Sequence, residues 1–158
     1  MESDVTVDEQ ADAAEAFTRG LVEAFGIGGE VTTEIDDETD AILVEVSGSG
    51  LGYLVGPKGS TLQAIEELVR TVVQRRTEGH GTRINVDVGG YRAQRREALE
   101  QFVGELAEKV RDTGKEHALE PMSASDRKIV HDAVADLDGV TTISEGEEPR
   151  RRVVLRSA

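Results

Sequence analysis

The pattern of hydrophobic and polar residues changes period several times along the chain and so marks out its helices and strands. Between residues 7 and 25, apolar and small side chains recur every three or four positions, which predicts a helix. Residues 31–35 and 41–46 alternate or run apolar on either side of an acidic turn, which predicts two strands in a hairpin.

The next elements surround a glycine-rich turn. Residues 51–55 predict a short helix, and a longer helix follows from Ser60 until Gly79 ends its apolar pattern. Ser60 and Gln63 have the spacing of a capping box at the start of that longer helix. Residues 82–88 alternate as a strand. The predicted order in this half is helix, strand, strand, helix, helix, strand.

Beyond Gly89-Gly90 the pattern is helical again. Residues 91–113 predict a charged helix, and a further helix ends near Leu137. Residues 140–144 and 151–155 predict a closing hairpin. The apolar face of the charged helix is predicted to consist of Ala98, Leu99, Phe102, Leu106 and Val110.

The net charge of −14 is unfavourable for nucleic-acid binding until its distribution is considered. Residues 1–47 hold 14 acidic side chains and 1 basic one, whereas residues 58–96 hold 8 basic and 4 acidic ones. The segment 58–96 could therefore bind a polyanion. No apolar run is long enough to span a bilayer, and the acidic N-terminus does not resemble a signal peptide, so we expect a cytoplasmic protein.

One glycine-rich tetrapeptide separates two predicted helices. In Gly56-Pro57-Lys58-Gly59 the glycines let the backbone turn sharply and let a ligand approach without hindrance from a Cβ atom. The helix that starts at Ser60 would present unpaired N–H groups and its positive dipole end to this loop, and Lys58 adds a full charge. A sugar-phosphate backbone is the ligand that such a loop favours.

Two other interpretations of this loop have to be weighed. A tetrapeptide with two glycines is also a frequent tight turn between helices, so the motif by itself is weak. A phosphate-binding loop of the nucleotide-hydrolysing type requires Gly-Lys-Ser/Thr, whereas the order here is Lys58-Gly59-Ser60. Pro57 removes one backbone N–H group, which lowers the expected affinity.

A second candidate site lies on the predicted helix of the C-terminal half. Arg127 and His131 are four residues apart and share one helix face, with Lys128 beside them. An arginine and an imidazole together can hold a phosphate, although a surface ion pair and a histidine satisfied by its neighbours give the same spacing. The basic run Arg150-Arg151-Arg152 is either a solvated strand start or a further phosphate contact.

Two longer stretches resemble known nucleic-acid-binding domains. Residues 51–62, Leu-Gly-Tyr-Leu-Val-Gly-Pro-Lys-Gly-Ser-Thr-Leu, resemble KH domains, and the predicted element order matches the type II, or bacterial, KH fold. Residues 120–131 and 139–146 resemble the R-three-H domain, a binder of single-stranded nucleic acid that is named for its Arg-x-x-x-His motif. A KH domain followed by this domain is the arrangement of the bacterial Jag or KhpB family, which the chain resembles over residues 42–155.

The resemblance implies an α+β protein of two small domains. We expect a disordered acidic N-terminus over residues 1–12, a type II KH domain over residues 13–89, a connecting helix over residues 90–116 and a small α+β Arg-x-x-x-His domain over residues 117–158. The RNA-binding residues would then be Gly56, Pro57, Lys58, Gly59, Ser60, Arg127, Lys128, His131, Arg150, Arg151 and Arg152.

The family likeness further implies a non-catalytic RNA-binding protein that acts as a post-transcriptional regulator or RNA chaperone. Its partners would be single-stranded RNA or single-stranded DNA, together with a small KH-domain protein or a second copy of the chain. Many relatives carry an extra N-terminal domain and a basic linker where this chain has an acidic segment, so no membrane-linked role is expected. The alternative function is a protein-interaction scaffold or dimerisation module, which the acidic total charge favours.

Catalysis, cofactors and metal binding are not expected. The chain has no cysteine, which excludes disulfides, thiolate catalysis and cysteine zinc sites. His80, His117 and His131 lie on separate predicted elements without the close spacing of metal ligands. Adjacent carboxylates such as Glu66-Glu67 point apart in a helix, so they do not form a catalytic pair.

Overall fold

In the computed structural model, which describes residues 5–158, helices and strands follow one another in the predicted order as far as Arg92, where the first of two units ends. The elements of the first unit are α1 (Val7–Ala24), β1 (Gly29–Ile35), β2 (Ile42–Gly48), α2 (Gly52–Val55), a 3-10 turn (Pro57–Gly59), α3 (Ser60–Arg76) and β3 (Ile84–Val88). The chain continues through α4 (Tyr91–Thr113), β4 (His117–Ala118), α5 (Ala124–Ala135), β5 (Val140–Glu145) and β6 (Arg152–Ser157).

The sheet of the first unit places its apolar residues on one side. Its strand order is β1-β2-β3, with β2 antiparallel to β1 and parallel to β3. Alternation along β2 turns Ile42, Val44 and Val46 inward, and the register sets them beside alternate, equally buried residues of β3. Helices α1 and α3 pack on this side, where each fully buried aliphatic side chain contributes about 1.5–3 kcal/mol.

The outer edge of β3 is covered by two charged side chains. Val86 donates its backbone N–H to Glu66 Oε2 at 3.0 Å, and its carbonyl accepts a bond from Arg92 Nε at 2.9 Å. Arg92 also donates to Glu66 Oε2 at 2.7 Å. The positive φ angles of Gly89 and Gly90 turn the chain after β3, so that Arg92 reaches back to the strand. This part of the edge is therefore closed to pairing with another strand.

Helix α1 begins within the segment that we expected to be disordered. Thr6 and Glu9 form a capping box, in which Thr6 N donates to Glu9 Oε2 at 2.8 Å and Glu9 N to Thr6 Oγ1 at 3.2 Å. The backbone N–H of Thr6, and then its hydroxyl, hold the pKa of Glu9 below its usual value. Gln10 and Ala11 are buried. The expectation of disorder is therefore wrong for residues 7–12, and residues 1–4 lie outside the described part of the chain.

The second unit, Ala93–Ala158, contains a second three-stranded sheet. Its strand order is β4-β6-β5, and both neighbouring pairs are antiparallel. The short strand β4 pairs through only two residues, whereas β5 and β6 are paired along their whole length. The buried core of the second unit consists of Val103, Leu106, Ala107, Val110, Leu119, Val130, Val134, Val140, Val153 and Leu155.

Helix α4 is part of the core of this second unit, whereas we expected a connecting helix over residues 90–116. Its buried side includes Val103 and Ala107, which the predicted face did not contain. Ala98 and Phe102, which belong to the predicted apolar positions, are exposed, Phe102 by 52%. The chain as a whole is α+β, and no helix within residues 5–158 has the length and apolar character needed to cross a membrane.

Candidate nucleic-acid interface

The loop at residues 56–59 has an unusual backbone. Gly56, Lys58 and Gly59 all have positive φ angles, of 71°, 52° and 78°. Gly56 N donates to Gly52 O of α2 at 3.1 Å, and Gly59 N donates to Gly56 O at 3.2 Å. The loop therefore connects α2 to α3 through a tight left-handed turn in which Lys58 is exposed.

Each glycine of this loop is required by what surrounds it. A Cβ atom on Gly56 would lie 2.2 Å from Thr61 Oγ1 and 2.9 Å from the backbone nitrogen of Thr61. A Cβ atom on Gly59 would lie 2.7 Å from Cε1 of Tyr91. Both glycines also have φ values that side-chain-bearing residues adopt only with strain. The motif is therefore a constrained turn in which a Cβ atom would clash with the backbone of Thr61 at Gly56 and would have to displace the ring of Tyr91 at Gly59.

The start of α3 differs from the capping box that we expected. Gly59 is the N-cap and has no side chain, and no side-chain hydrogen bond caps this end of the helix. Ser60 is the first helical residue and is exposed, so its hydroxyl does not take the N-cap position. The predicted pairing of Ser60 with Gln63 is therefore wrong. The first N–H groups of this 17-residue helix are left without a side-chain acceptor, next to Lys58.

An open cleft of about 600 Å³ lies beside the loop. Tyr53 of α2 contributes an aromatic ring that is 80% exposed, the largest exposure among the large hydrophobic residues described. Sequence analysis did not select Tyr53, although its place three residues before Gly56 was a usable signal. The residues that line the cleft are Gly50, Gly52, Tyr53, Gly56, Pro57 and Thr61.

Arg127 and His131 of α5 lie close to the β5–β6 hairpin. Arg127 is 7% exposed, and it donates from Nη1 to the carbonyl of Met122 at 2.5 Å and from Nη2 to the carboxylate of Glu148. His131 is half-buried, and its Nδ1 lies 2.7 Å from Thr142 Oγ1. The two signature side chains thus share one side of α5, but both are engaged with protein groups.

The remaining predicted contacts of the second unit are more exposed. Lys128 is 75% exposed, and its ammonium donates to Asp132 at 2.5 Å. Arg150 is exposed, and Arg151 is half-buried with a bond from Nη1 to the carbonyl of Gly146 at 3.2 Å.

Arg152 completes the basic run but is paired. It donates from Nε and Nη2 to Glu145 Oε1 at 2.9 and 2.7 Å. Of the three arginines, Arg150 therefore has the most accessible guanidinium. Within residues 5–158, no group of three or more histidine, aspartate or glutamate side chains is placed to hold a metal ion.

Comparison with known proteins first gives the class of the chain. The R-three-H domain model matches residues 97–157, a range that contains Arg127, His131 and most of α4. The chain is therefore an R-three-H-domain protein of mixed α+β fold. The match also begins within α4, in agreement with the place of that helix in the core of the second unit.

Several relatives named RNA-binding protein KhpB align with most of the chain. The one from Clostridium symbiosum is 32% identical over 144 residues, which cover 91% of this chain and 64% of the relative. The one from Bacillus subtilis is 31% identical over 144 residues, covering 90% and 68%. The one from Streptococcus pneumoniae is 28% identical over 155 residues, covering 98% and 46%. The chain belongs to the KhpB, or Jag, family, as its motifs predicted, and spans 46% to 68% of the length of these relatives.

Proposed function

We propose that this chain is a non-catalytic single-stranded RNA-binding protein whose first unit is a type II KH domain. The observation that carries the proposal is the loop at residues 56–59, which leads directly into an N-terminus of α3 without a side-chain cap. The helix–strand–strand–helix–helix–strand order of this unit supports the KH assignment. The R-three-H domain and the name of the relatives support RNA as the ligand.

The loop binds the sugar-phosphate backbone through three features that act together. The positive φ angles at both glycines keep Cβ atoms away from the approaching strand. The N–H groups at the start of α3 and the helix dipole favour an anion, and Lys58 adds a full positive charge. A KH loop of this kind holds about four nucleotides. Their bases would lie over the adjacent cleft, beside Tyr53.

In this proposal the RNA-binding activity serves post-transcriptional control or RNA chaperoning. The protein partner would be a small KH-domain protein or a second copy of the chain. A second candidate function, a scaffold that binds proteins rather than RNA, is favoured by two observations. Leu68 on the outer side of α3 is 50% exposed, and the segment 1–47 has 14 acidic residues and 1 basic residue.

The test is a fluorescence-anisotropy titration of labelled single-stranded RNA with the unaltered chain and with Lys58→Asp, each at two salt concentrations. Aspartate tolerates the left-handed backbone of this position, so the substitution reverses the charge with little added strain. We expect Lys58→Asp to weaken binding about tenfold or more, because a hydrogen bond to a charged group contributes about 1.5–3 kcal/mol. Salt should weaken binding by the unaltered chain.

The matched control is Lys115→Asp, the same charge reversal at an exposed lysine of the other unit. If both substitutions weaken binding equally, the effect comes from total charge and not from the loop. If the unaltered chain does not bind RNA, the proposed function is wrong and the scaffold function is the better one. A binding constant that does not depend on salt would also contradict a phosphate-gripping loop.

A further inference from the structure

Arg127 and His131, the two residues that give the Arg-x-x-x-His motif its name, are both bonded to the β5–β6 hairpin or to the segment before α5. The guanidinium of Arg127 donates two hydrogen bonds, one to the carbonyl of Met122 and one to the carboxylate of Glu148. The residue is 7% exposed, whereas the side chain of Glu148 is 62% exposed. A phosphate could reach this guanidinium only by displacing the ion pair with Glu148.

His131 is held in the same way from the side of β5. Its Nδ1 lies 2.7 Å from Thr142 Oγ1 and its Nε2 lies 2.7 Å from Ser144 Oγ. A hydroxyl group can either donate or accept, so both ring nitrogens have a suitable partner in either tautomer. The imidazole therefore joins α5 to two residues of β5, and neither nitrogen is left for a ligand in this arrangement.

The bonds of Arg127 converge on the hairpin loop, which we define as residues 146–151. Glu148 lies in this loop, and Met122 connects to it a second time, because Met122 N donates to Arg151 O at 3.2 Å. Inside the loop, Arg150 N donates to Glu147 O at 2.8 Å. Arg127 therefore links the start of α5 to the hairpin loop in two ways. It bonds Glu148 of the loop directly, and it bonds Met122, which is itself bonded to Arg151 of the loop.

From these contacts we propose that Arg127 and His131 are positioning residues, which hold the hairpin loop so that Arg150 meets the RNA phosphates. This inference rests on the proposed RNA-binding function and replaces the direct phosphate contacts that we expected of Arg127 and His131. Arg150 fits the contacting role, because it is exposed at the end of a loop whose shape Arg127 fixes. The ligand is a phosphodiester of single-stranded nucleic acid.

The two roles of Arg127 predict opposite effects of removing the charge of Glu148. If Arg127 is a positioning residue, Glu148→Gln loosens the hairpin loop and weakens RNA binding. If Arg127 contacts phosphate, the same substitution releases its guanidinium and strengthens binding. Glu147→Gln is the matched control, because Glu147 is the exposed neighbour in the same loop and its substitution removes the same charge from the same surface.

The experiment is the anisotropy titration of labelled single-stranded RNA with the full chain carrying Glu148→Gln or Glu147→Gln. We expect Glu148→Gln to bind about two- to tenfold more weakly than Glu147→Gln, which corresponds to the ordering cost of one side chain. Equal or tighter binding by Glu148→Gln overturns the inference. Both variants are surface substitutions, and circular dichroism and urea denaturation would check that each is folded.

A second measurement separates positioning from contact by salt dependence. Arg150→Gln should lower the slope of log affinity against log salt by about 0.7, the contribution of one phosphate on a single strand. Arg127→Lys keeps the charge but cannot bond both acceptors in the same fork, so it should weaken binding without a change of slope. An unchanged slope for Arg150→Gln, or a reduced one for Arg127→Lys, contradicts the assignment. Failure of the proposed function itself is distinguished by the unaltered chain, which would then not bind RNA.

Discussion

Tyr53 is the residue that adds most to the candidate RNA site beyond the loop itself. Its ring is 80% exposed and lines the same cleft as Gly56 and Pro57. Stacking of one base on an aromatic side chain contributes about 1–3 kcal/mol by alanine substitution. A ring at this position could therefore bind a base while the loop holds the phosphates of the same nucleotides.

We expect Tyr53→Ala to weaken the binding of single-stranded RNA about five- to 150-fold, by the loss of one stacked base. Tyr53→Phe should bind nearly as well as the unaltered chain, because stacking depends on the ring. The measurement is an anisotropy titration with RNA and with an abasic oligonucleotide of equal length. Phe25→Ala removes another exposed ring of the first unit and serves as the control. Equal losses with the abasic strand would show that Tyr53 does not stack on a base.

At the scale of single residues, the sequence was sufficient where the chemistry is local. Gly56 and Gly59 could be selected because a left-handed turn before a helix favours glycine in any surroundings. The ion pair of Arg127 with Glu148 could not be predicted, because Glu148 is 21 residues away in the sequence and meets Arg127 only in the folded hairpin. Helical spacing places Arg127 and His131 on one side of α5 but does not show what they contact.

At the scale of elements, periodicity predicted where helices occur better than which side they bury. The apolar face expected for α3 was largely correct, since Leu62, Ile65, Val69 and Val73 are buried. Val72 of that face is half-buried, and Leu68, which was also expected there, is 50% exposed. The face of α4 was partly wrong, because Phe102 and Val103 are adjacent and the pattern of this charged helix is weak. The core of the second unit selects Val103, since that side of α4 packs with α5 and the sheet.

Glu66 covers part of the outer edge of β3, which leads to a prediction about how much this contact stabilises the fold. Glu66 Oε2 accepts the N–H of Val86, and the carboxylate also pairs with Arg70 at 3.0 Å and Arg92 at 2.7 Å. Glu66→Ala should lower the free energy of unfolding by about 1–3 kcal/mol, because it leaves a part-buried N–H without an acceptor. Urea denaturation measures this change.

The control for Glu66→Ala is its neighbour Glu67→Ala. Glu67 is exposed on the same helix, so the two substitutions share the same change in helix propensity. We expect Glu67→Ala to alter the free energy of unfolding by no more than about 0.5 kcal/mol, as is usual for surface positions. If the two variants are equally stable, the edge of β3 does not depend on Glu66.

At the scale of the whole molecule, the distribution of charge matters more than its sum. The 14 acidic residues of segment 1–47 include strand positions such as Glu45, which lies opposite Asp87 in the register of β2 and β3. Carboxylates on a sheet surface disfavour phosphates there. The net charge of −14 is therefore compatible with an RNA site, provided that the site is confined to surfaces such as the loop with Lys58.

The presence of two candidate sites in one chain predicts how affinity depends on RNA length. If the loop of the first unit holds an RNA strand that is long enough to reach Arg150 of the second unit, that strand would meet Arg150 at a high effective concentration. Linked sites of this kind raise affinity by about 100-fold or more over a single site. An oligonucleotide of about four residues fills only one KH loop, so it should not show this gain.

We therefore expect affinity to rise with RNA length in the unaltered chain, and Arg150→Gln to abolish most of that rise. The variant should bind the shortest oligonucleotide as well as the unaltered chain does, because that ligand depends on Lys58 and not on Arg150. Lys109→Gln, which removes an exposed positive charge elsewhere in the second unit, should leave the length dependence intact. If Arg150→Gln and Lys109→Gln give the same length dependence as the unaltered chain, the second unit does not bind the strand that the first unit holds. The hairpin loop would then have to serve a different ligand, and the first unit alone would account for RNA binding.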